Sequence, residues 1–517
     1  MAPINVGGYG ISIPFQQGVT PVYEAGILHD VGEWLTSLKR TGMQMRGGWN
    51  QMQFSLSINF CRVRYQFTAF FFVLFIGLPR IFAESQIPLI DPTFQPNLPA
   101  EGNGQVNDIL LQADGSIVIG GSFESISDKP IGGIARLFRD GKLDENFGTG
   151  ADSGVLGLAQ QTDGKIVVSG YFTELQGVTR YGLGRLLANG EVDTNFNAGL
   201  LFANNNTPYK LAIRPDGRIL VSTLNGGLFQ VTTNGTLDST FVQTNAFQGY
   251  WIHSLFLETN GSVLAGGGFT SVNGFVSSGL VQLDSSGKVN TNFQTGLASS
   301  SDVFTILQQT NGGFLIGGML LHTDGTANTV LQRLDSQLNW DPSFQTSQFT
   351  AYNVQTGPFI RSAILQPDGK IVVGGNFEDV GGYYRRHLVR LDSSGHVDTC
   401  FDTGIGMLSY WGVNIVKMEP DGRILAGGAF GAPGLIPNEL ARLLPQGDCN
   451  AVRVYIGNQD PGYYVIGSWP PGGTNHVQTS TNLIDWEDLA VETGPSVFIS
   501  VDITDSPAAF FRVKREQ

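Results

Sequence analysis

Seven times between Asp114 and Asp421 the chain carries an Asp-Gly or Asn-Gly pair with an apolar stretch on either side, at intervals of 44 to 57 residues. The pairs begin at Asp114, Asp163, Asp216, Asn260, Asn311, Asp368 and Asp421, and the text around them is nearly a fixed phrase: AQQTDGKIVVSGYF over 159–172 returns as ILQPDGKIVVGGNF over 364–377. Self-similarity on this period means a repeat architecture, in which each supersecondary unit buries its apolar face against its neighbours. Strand-length runs around Asp-Gly are the strongest short-range hairpin signal, and a two-residue loop of this kind needs positive φ at both central residues. Each unit is therefore expected to open with a two-residue hairpin.

About twenty residues further on, a second signature follows in six of the units, as in RLFRDGKLDENF (136–147), RLLANGEVDTNF (185–196) and RLDSSGHVDTCF (390–401). Most copies carry a turn pair at the centre, so a second hairpin is expected, giving four short antiparallel strands per unit. Four strands on a period of roughly 40 to 50 residues is the pattern of a β-propeller blade. In the seventh unit RLLPQGDC (442–449) starts the second signature without its Asp-x-x-Phe ending, which stands instead at the front of the chain as DPTF (91–94). The expected architecture is all-β: a seven-bladed β-propeller whose N-terminal strand completes and closes the last blade, leaving no open sheet edge. The 69 glycines and the 14% of charged residues suit many short strands and tight turns.

The rest of the chain divides around this region. Residues 1–51 show no pattern of a folded domain, and Met43, Met45 or Met52 would each make a better start, so a misassigned start codon is expected. Over 52–83, Arg62 and Arg64 precede the twelve-residue apolar run FTAFFFVLFIGL and a small residue at Ala83, the layout of a secretory signal peptide. A membrane partner arises only if that segment stays uncleaved as an anchor. The propeller is assigned to 84–449. In 450–517 short runs such as VRVYIG and VFISVDI, parted by PPGG and TGPS, predict a small C-terminal β-sandwich.

Charge and cysteine usage bound the partners. The net charge of −14 becomes −17 without residues 1–83, which hold six Lys/Arg and three Asp/Glu. An acidic domain repels nucleic acid, so none is expected as a partner. Cys61 would leave with the signal segment; Cys400 and Cys449 remain as an even pair, a possible disulfide in an exported chain, with two separate thiols the alternative.

The units resemble the delta-60 repeat family, whose pattern runs close to Q-x-D-G-K-I-x-x-G-G-x-F followed by R-L-x-x-D-G-x-x-D-x-x-F. The match covers residues 91–447, with departures at STLNGG (222–227) and GGMLLH (317–322). The resemblance implies a seven-bladed propeller and no established activity. QTSTNLIDWEDL (478–489) with the terminal FFRV resembles a C-terminal module of large secreted bacterial proteins, which implies a surface or accessory role.

No residue pattern points to catalysis. The Asp that recurs once per unit (Asp91, Asp144, Asp193, Asp238, Asp341, Asp398, with Asn290 in one) reads as a turn residue bonding its own backbone. The six histidines stand beside no Ser or Cys motif, and no metal-ligand spacing occurs, so no catalytic residue, metal or cofactor is assigned. The variable loops all fall on one face, opposite the fixed hairpins, and are rich in aromatics. Tyr181, Tyr250, Trp251, Tyr383, Tyr384, Arg385, Arg386, Tyr410 and Trp411 are the ligand-binding candidates, and Tyr209, Tyr352 and Phe359 belong to the same aromatic set. Flat rings of this kind suit sugars or protein partners. The expectation is a secreted or cell-surface monomer that binds a glycan or an extracellular protein. The alternative is a polysaccharide-acting hydrolase or lyase, which needs acidic or Tyr/His/Arg side chains converging at the mouth of the channel.

Overall fold

The computed structural model describes residues 12–13, 54–55, 89–91, 93–98, 104–203, 206–242, 247–323, 329–351, 357–401, 412–430 and 439–445, and six C-terminal strands between 453 and 516. The signal segment apart from Phe54–Ser55, Tyr352, Tyr410, Trp411 and Cys449 lie outside the described residues, as does the side chain of Tyr250. Among the described residues there is no helix. Ile87–Cys449 forms one compact unit, and Met1–Gln86 with Asn450–Gln517 forms the other.

Within Ile87–Cys449 seven antiparallel sheets of one kind follow each other, each with its second strand in the middle. Their strands are Val106–Leu111, Ile117–Gly121 and Ile134–Leu137 in unit 1; Val155–Gln160, Ile166–Gly170 and Leu183–Leu186 in unit 2; Pro208–Ile213, Ile219–Thr223 and Leu228–Val231 in unit 3. Unit 4 has Phe247–Leu257, Val263–Val272 and Leu280–Leu283, and unit 5 has Asp302–Gln308, Phe314–Leu320 and Thr329–Leu334. Phe359–Leu365, Ile371–Asn376 and Leu388–Leu391 make unit 6; Gly412–Met418, Ile424–Ala429 and Leu440–Leu443 make unit 7. The first strand of each unit packs on the first strand of the next, and that of unit 7 packs on that of unit 1. The central strands are buried almost throughout, and the apolar cores lie between neighbouring sheets: Val118 and Ile134 of unit 1 pack with Val155, Ile166 and Val168 of unit 2. Leu425 and Leu440 of unit 7 pack in the same way with Val106, Ile109 and Ile117 of unit 1.

The first hairpin differs in detail from the sequence expectation. In unit 1 the Gly115 N–H donates to Gln112 O and the Gln112 N–H to Ser116 O, so the loop has three residues. Only the glycine has positive φ, 86° at Gly115, while the Asp is absent from the positive-φ residues. This is a type I turn closed by a glycine bulge rather than the two-residue turn expected. The Asp is needed for its side chain: Asp114 Oδ1 accepts the N–H of Ser116 at 2.9 Å, and the equivalent bond recurs in all seven units.

The outer strand is also shorter than expected. It shrinks to one bridge per unit, Leu137↔Leu143, Leu186↔Val192 and so on to Leu391↔Val397, before the chain turns at Asp-x-x-Phe. The seventh bridge is Ile90↔Leu443, so residues from the front of the chain occupy the place that the last unit leaves open. The repeated Asp does two things there. Its Oδ1 accepts the N–H two residues on, as Asp398 does from Cys400 at 3.0 Å, and its Oδ2 accepts from the Arg of the third strand, as from Arg390 Nε at 2.8 Å. That guanidinium also lies over the Phe of the motif, 4.6 Å from the Phe401 centroid, and its Nη1 reaches Pro445 O in the next unit. Arg442 repeats the set with Asp91 and Phe94, and donates to Arg139 O of unit 1.

Unit 4 replaces Arg and Asp together by Gln282 and Asn290, with Asn290 Nδ2 donating to Gln282 Oε1 at 2.6 Å. The pair stays complementary without charge. Gln282→Arg with Asn290→Asp should therefore be tolerated better than Asn290→Asp alone, which sets a carboxylate against an amide oxygen. A double-mutant cycle in denaturant is expected to show coupling of about 1 kcal/mol, and zero coupling would make the pairing incidental.

The C-terminal segment holds two further antiparallel sheets. Gly462–Ser468 is the centre of one, between Arg453–Gln459 and Ser496–Asp502, and Thr474–Ser480 is the centre of the other, between Glu487–Glu492 and Phe510–Glu516.

Candidate functional site

The GG of the repeat phrase lies in the second strand, and its second glycine lets a backbone carbonyl of the first strand come very close. A Cβ there would stand 2.0 Å from Trp251 O at Gly267, 2.0 Å from Asp302 O at Gly318 and 2.2 Å from Phe359 O at Gly375. A register shift follows in each first strand, and the next residue along (Ile252, Val303, Ile360) is fully buried. By the alternation of a strand, the residues on either side of that buried one share the opposite face. In units 3 to 6 those pairs are Thr207 and Tyr209, Trp251 and His253, Asp302 and Phe304, Phe359 and Arg361. Units 7, 1 and 2 place Gly412 and Asn414, Gln105 and Asn107, Gly154 and Leu156 at the same level.

Four consecutive units thus build one aromatic and charged cluster. Tyr209 meets Trp251 edge to face at 6.4 Å between centroids and His253 at 5.6 Å. His253 packs on Phe304 at 4.4 Å, and Phe304 stacks on Phe359 at 5.6 Å. Arg361 lies over both phenyl rings, 6.0 Å from the Phe304 centroid and 5.2 Å from that of Phe359. A polar line crosses the cluster: Tyr209 Oη is 3.4 Å from His253 Nδ1, and His253 Nε2 is 3.4 Å from Asp302 Oδ2. Both contacts are long for hydrogen bonds. Burial pulls the Arg361 guanidinium below its ordinary value, with Tyr209 and Asp302 acting against that shift. Among the described residues, Arg361 Nε and Asp302 Oδ1 are buried without a hydrogen-bond partner. On the other side of this level, Asn414 Nδ2 donates to Val106 O at 3.2 Å and Asn107 Nδ2 to Val155 O at 2.9 Å, which commits those amides to the strands.

The sequence candidates fall in different places. Trp251 is in the cluster and 42% exposed; Tyr209 and Phe359 of the wider aromatic set are in it too but half-buried, and Tyr181 is exposed on its loop. Tyr384 and Arg385 are buried, at 6% and 3% exposure, which puts both inside the sheet edge rather than on a loop surface. Burial raises the Tyr384 hydroxyl to about 12. Tyr383 lies under Arg385, 5.5 Å from its guanidinium, and Arg386 is half-buried beside it. Cys400 is disulfide-bonded. His253, Phe304, Arg361 and Asp302 were missed because each was read within its own unit. Aligning the units on the Asp-Gly pair would have shown one column holding Asn, Leu, Tyr, His, Phe, Arg and Asn where its neighbour is always apolar or Pro.

A cavity of about 480 Å³ opens at the other end of the first strands, lined by Leu111, Gln160, Pro367, Met418 and Glu419 among others. Gln112 and Gln160 give this lining polar groups as well, and its acid, Glu419, stands within ion-pair distance of Arg423 and Arg442. Among the described residues, no group of three His, Cys, Asp or Glu side chains is gathered as a metal would need.

Four segments, 112–147, 161–196, 258–293 and 366–401, match the family model described as "Domain of unknown function (DUF5122) beta-propeller". These are β-propeller repeats. They coincide with units 1, 2, 4 and 6, from the first hairpin to the Phe that ends the second signature. Solved structures similar to the propeller include a catalytically inactive virginiamycin B lyase from Staphylococcus aureus with quinupristin, at 12% identity and TM-score 0.44, covering 67% of this chain and 97% of that one. BamB from Moraxella catarrhalis is similar at 14% identity and TM-score 0.32, covering 65% and 95%. The WD40 β-propeller domain of Doa1 is similar at 12% and 0.36, covering 68% and 96%. No curated protein matches the sequence significantly.

Proposed function

We propose that the chain is an exported delta-60-type propeller of seven blades, closed by residues 89–94. It acts as a binding module for an extracellular glycan or protein, with residues 450–517 attaching or presenting it and Cys400 bonded to Cys449. The ligand sits at one mouth of the central channel, on the face that also carries the variable loops. The observation behind this is the cluster of Tyr209, Trp251, His253, Phe304, Phe359 and Arg361, which gathers large flat faces and one cation from four units at one level. Closure is supported by the Ile90↔Leu443 bridge and by Arg442, which reaches both Asp91 and unit 1.

A glycan array scored for binding and for product release tests the reading. Trp251→Ala with Tyr209→Ala should cost at least tenfold in affinity for whatever binds, with only a modest fall in melting temperature, because Trp251 is exposed and Tyr209 only half-buried. Full binding by the double variant would remove the assignment from this cluster. A second reading, a hydrolase or lyase at the same mouth, is favoured by the Tyr209–His253–Asp302 line, the kind of convergent set that general acid–base chemistry requires. Release of product from the array decides for it.

A further inference from the structure

Resting on the binding site above, we propose that its ligand is an acidic sugar, a uronic-acid residue whose carboxylate is taken by Arg361. The cluster holds one buried donor and one buried acceptor without partners, Arg361 Nε and Asp302 Oδ1. A buried polar atom left unpaired is costly, and a charged one more so. No ion pair of Arg361 occurs among the described residues, and Asp302, the acid whose charge acts on it, faces His253 with its other oxygen. A guanidinium presents a planar fork that matches a carboxylate, and an unpaired carboxylate oxygen accepts from a hydroxyl. The ligand thus needs a carboxylate and a hydroxyl on one small frame. Tyr209, Trp251, Phe304 and Phe359 add flat apolar faces, which suit the C–H face of a sugar ring.

Charge points the same way. The chain carries −14 overall, so it does not attract polyanions in general, yet Lys210 lies 4.8 Å from the Tyr209 ring and joins Arg361 at this end. Selection of an acid must come from these local cations. A neutral sugar could offer Arg361 Nε only an uncharged hydroxyl oxygen, a weaker acceptor than a carboxylate.

Calorimetric titration of the full chain with trigalacturonate, its methyl ester and a sulfated galactose trisaccharide tests this. The acid should bind at least tenfold tighter than its uncharged ester and tighter than the sulfated sugar. Arg361→Gln should bring acid and ester within twofold of each other while keeping the wild-type melting temperature, and Arg361→Lys should retain part of the preference. Equal affinity of wild-type protein for acid and ester overturns the inference without any variant, and leaves the binding site standing if the array gave neutral ligands. Preference for the sulfated sugar overturns the carboxylate assignment. Absence of binding by every probe here and on the array overturns both the inference and the reading it rests on.

Discussion

A chain lacking residues 87–98 is expected to be unfolded or to melt on the order of 10 °C or more below the intact protein. Leu89, Phe94 and Leu98 are 0%, 1% and 6% exposed, and burying such a side chain contributes about 1.5–3 kcal/mol each. Asp91 is the carboxylate that Arg442 meets at 2.9 Å, and Arg442 is 2% exposed at its side chain. Removing one partner of a buried ion pair typically costs about 3–5 kcal/mol, because the other charge stays buried. The sum rivals the whole stability of an ordinary domain, about 5–15 kcal/mol. The truncation also bares the edge that Ile90 covers at Leu443. Thermal melting of the truncated chain with and without a synthetic 87–98 peptide is the measurement. An unchanged melting curve would refute closure by this strand, and recovery with the peptide would locate the loss in the missing edge.

The missing Asp-x-x-Phe of the seventh unit and its copy at residues 91–94 were legible in the sequence, because a motif can be absent from one end and present at the other. The pairing that makes it matter, Asp91 with Arg442, follows the same sequence rule as Asp398 with Arg390 in unit 6. Register within the hairpins was less legible. Asp-Gly serves both a two-residue loop and a type I turn with a glycine bulge, and only the strand ends, Gln112 and Ser116 in unit 1, distinguish them. The outer strand could not be sized either, since Asp-x-x-Phe reads equally as the end of a strand or as the turn that cuts it short after one bridge. Here the Asp Oδ1 bond to the second N–H onward decides for the turn.

The candidate site was legible only in part, for a physical reason. Exposed loop aromatics announce themselves in a sequence, whereas the rows facing the inside of the repeat ring are built one residue per unit, about fifty positions apart. Trp251, Tyr209 and Phe359 were found as aromatics, but His253, Phe304 and Arg361 sit in strands that are mostly apolar and read as core. What makes them a cluster is the second glycine of the GG in each second strand, which holds Trp251, Asp302 and Phe359 at one level. Conversely, Tyr384 and Arg385 look like loop residues in the sequence, yet Arg385 N–H donates to Glu378 O across a small hairpin and both side chains are buried.

Glu439 should make the propeller less stable as pH rises from about 4.5 to about 7. It precedes the third strand of unit 7, where units 1, 2 and 4 have Gly133, Gly182 and Gly279, and it adopts their left-handed backbone at φ 64°. Its carboxyl packs against the Gly104 backbone, and Oε2 has no hydrogen-bond partner among the described residues. Burial raises its pKa from 4.5 to about 7. A raised carboxyl binds its proton more tightly in the folded chain than in the unfolded one. The associated stability is therefore full below about 4.5 and is lost as pH climbs through about 7. With allowance for partial exposure to solvent, the loss is on the order of 2 kcal/mol. Glu439→Gln has no proton to lose, so its melting temperature should match the wild type near pH 4.5 and exceed it by several degrees at pH 8. Comparing the two chains cancels the carboxylates that work in the opposite sense, such as Asp421, which its bond to Arg423 holds at about 2. Glu439→Gly should be more stable still at pH 8, since it also relieves the left-handed backbone of a side chain, at roughly 1 kcal/mol or more. Parallel melting curves for wild type and Glu439→Gln across pH 4.5 to 8 would show that this carboxyl is hydrated in the folded chain, and that the seam between units 7 and 1 does not respond to pH through it.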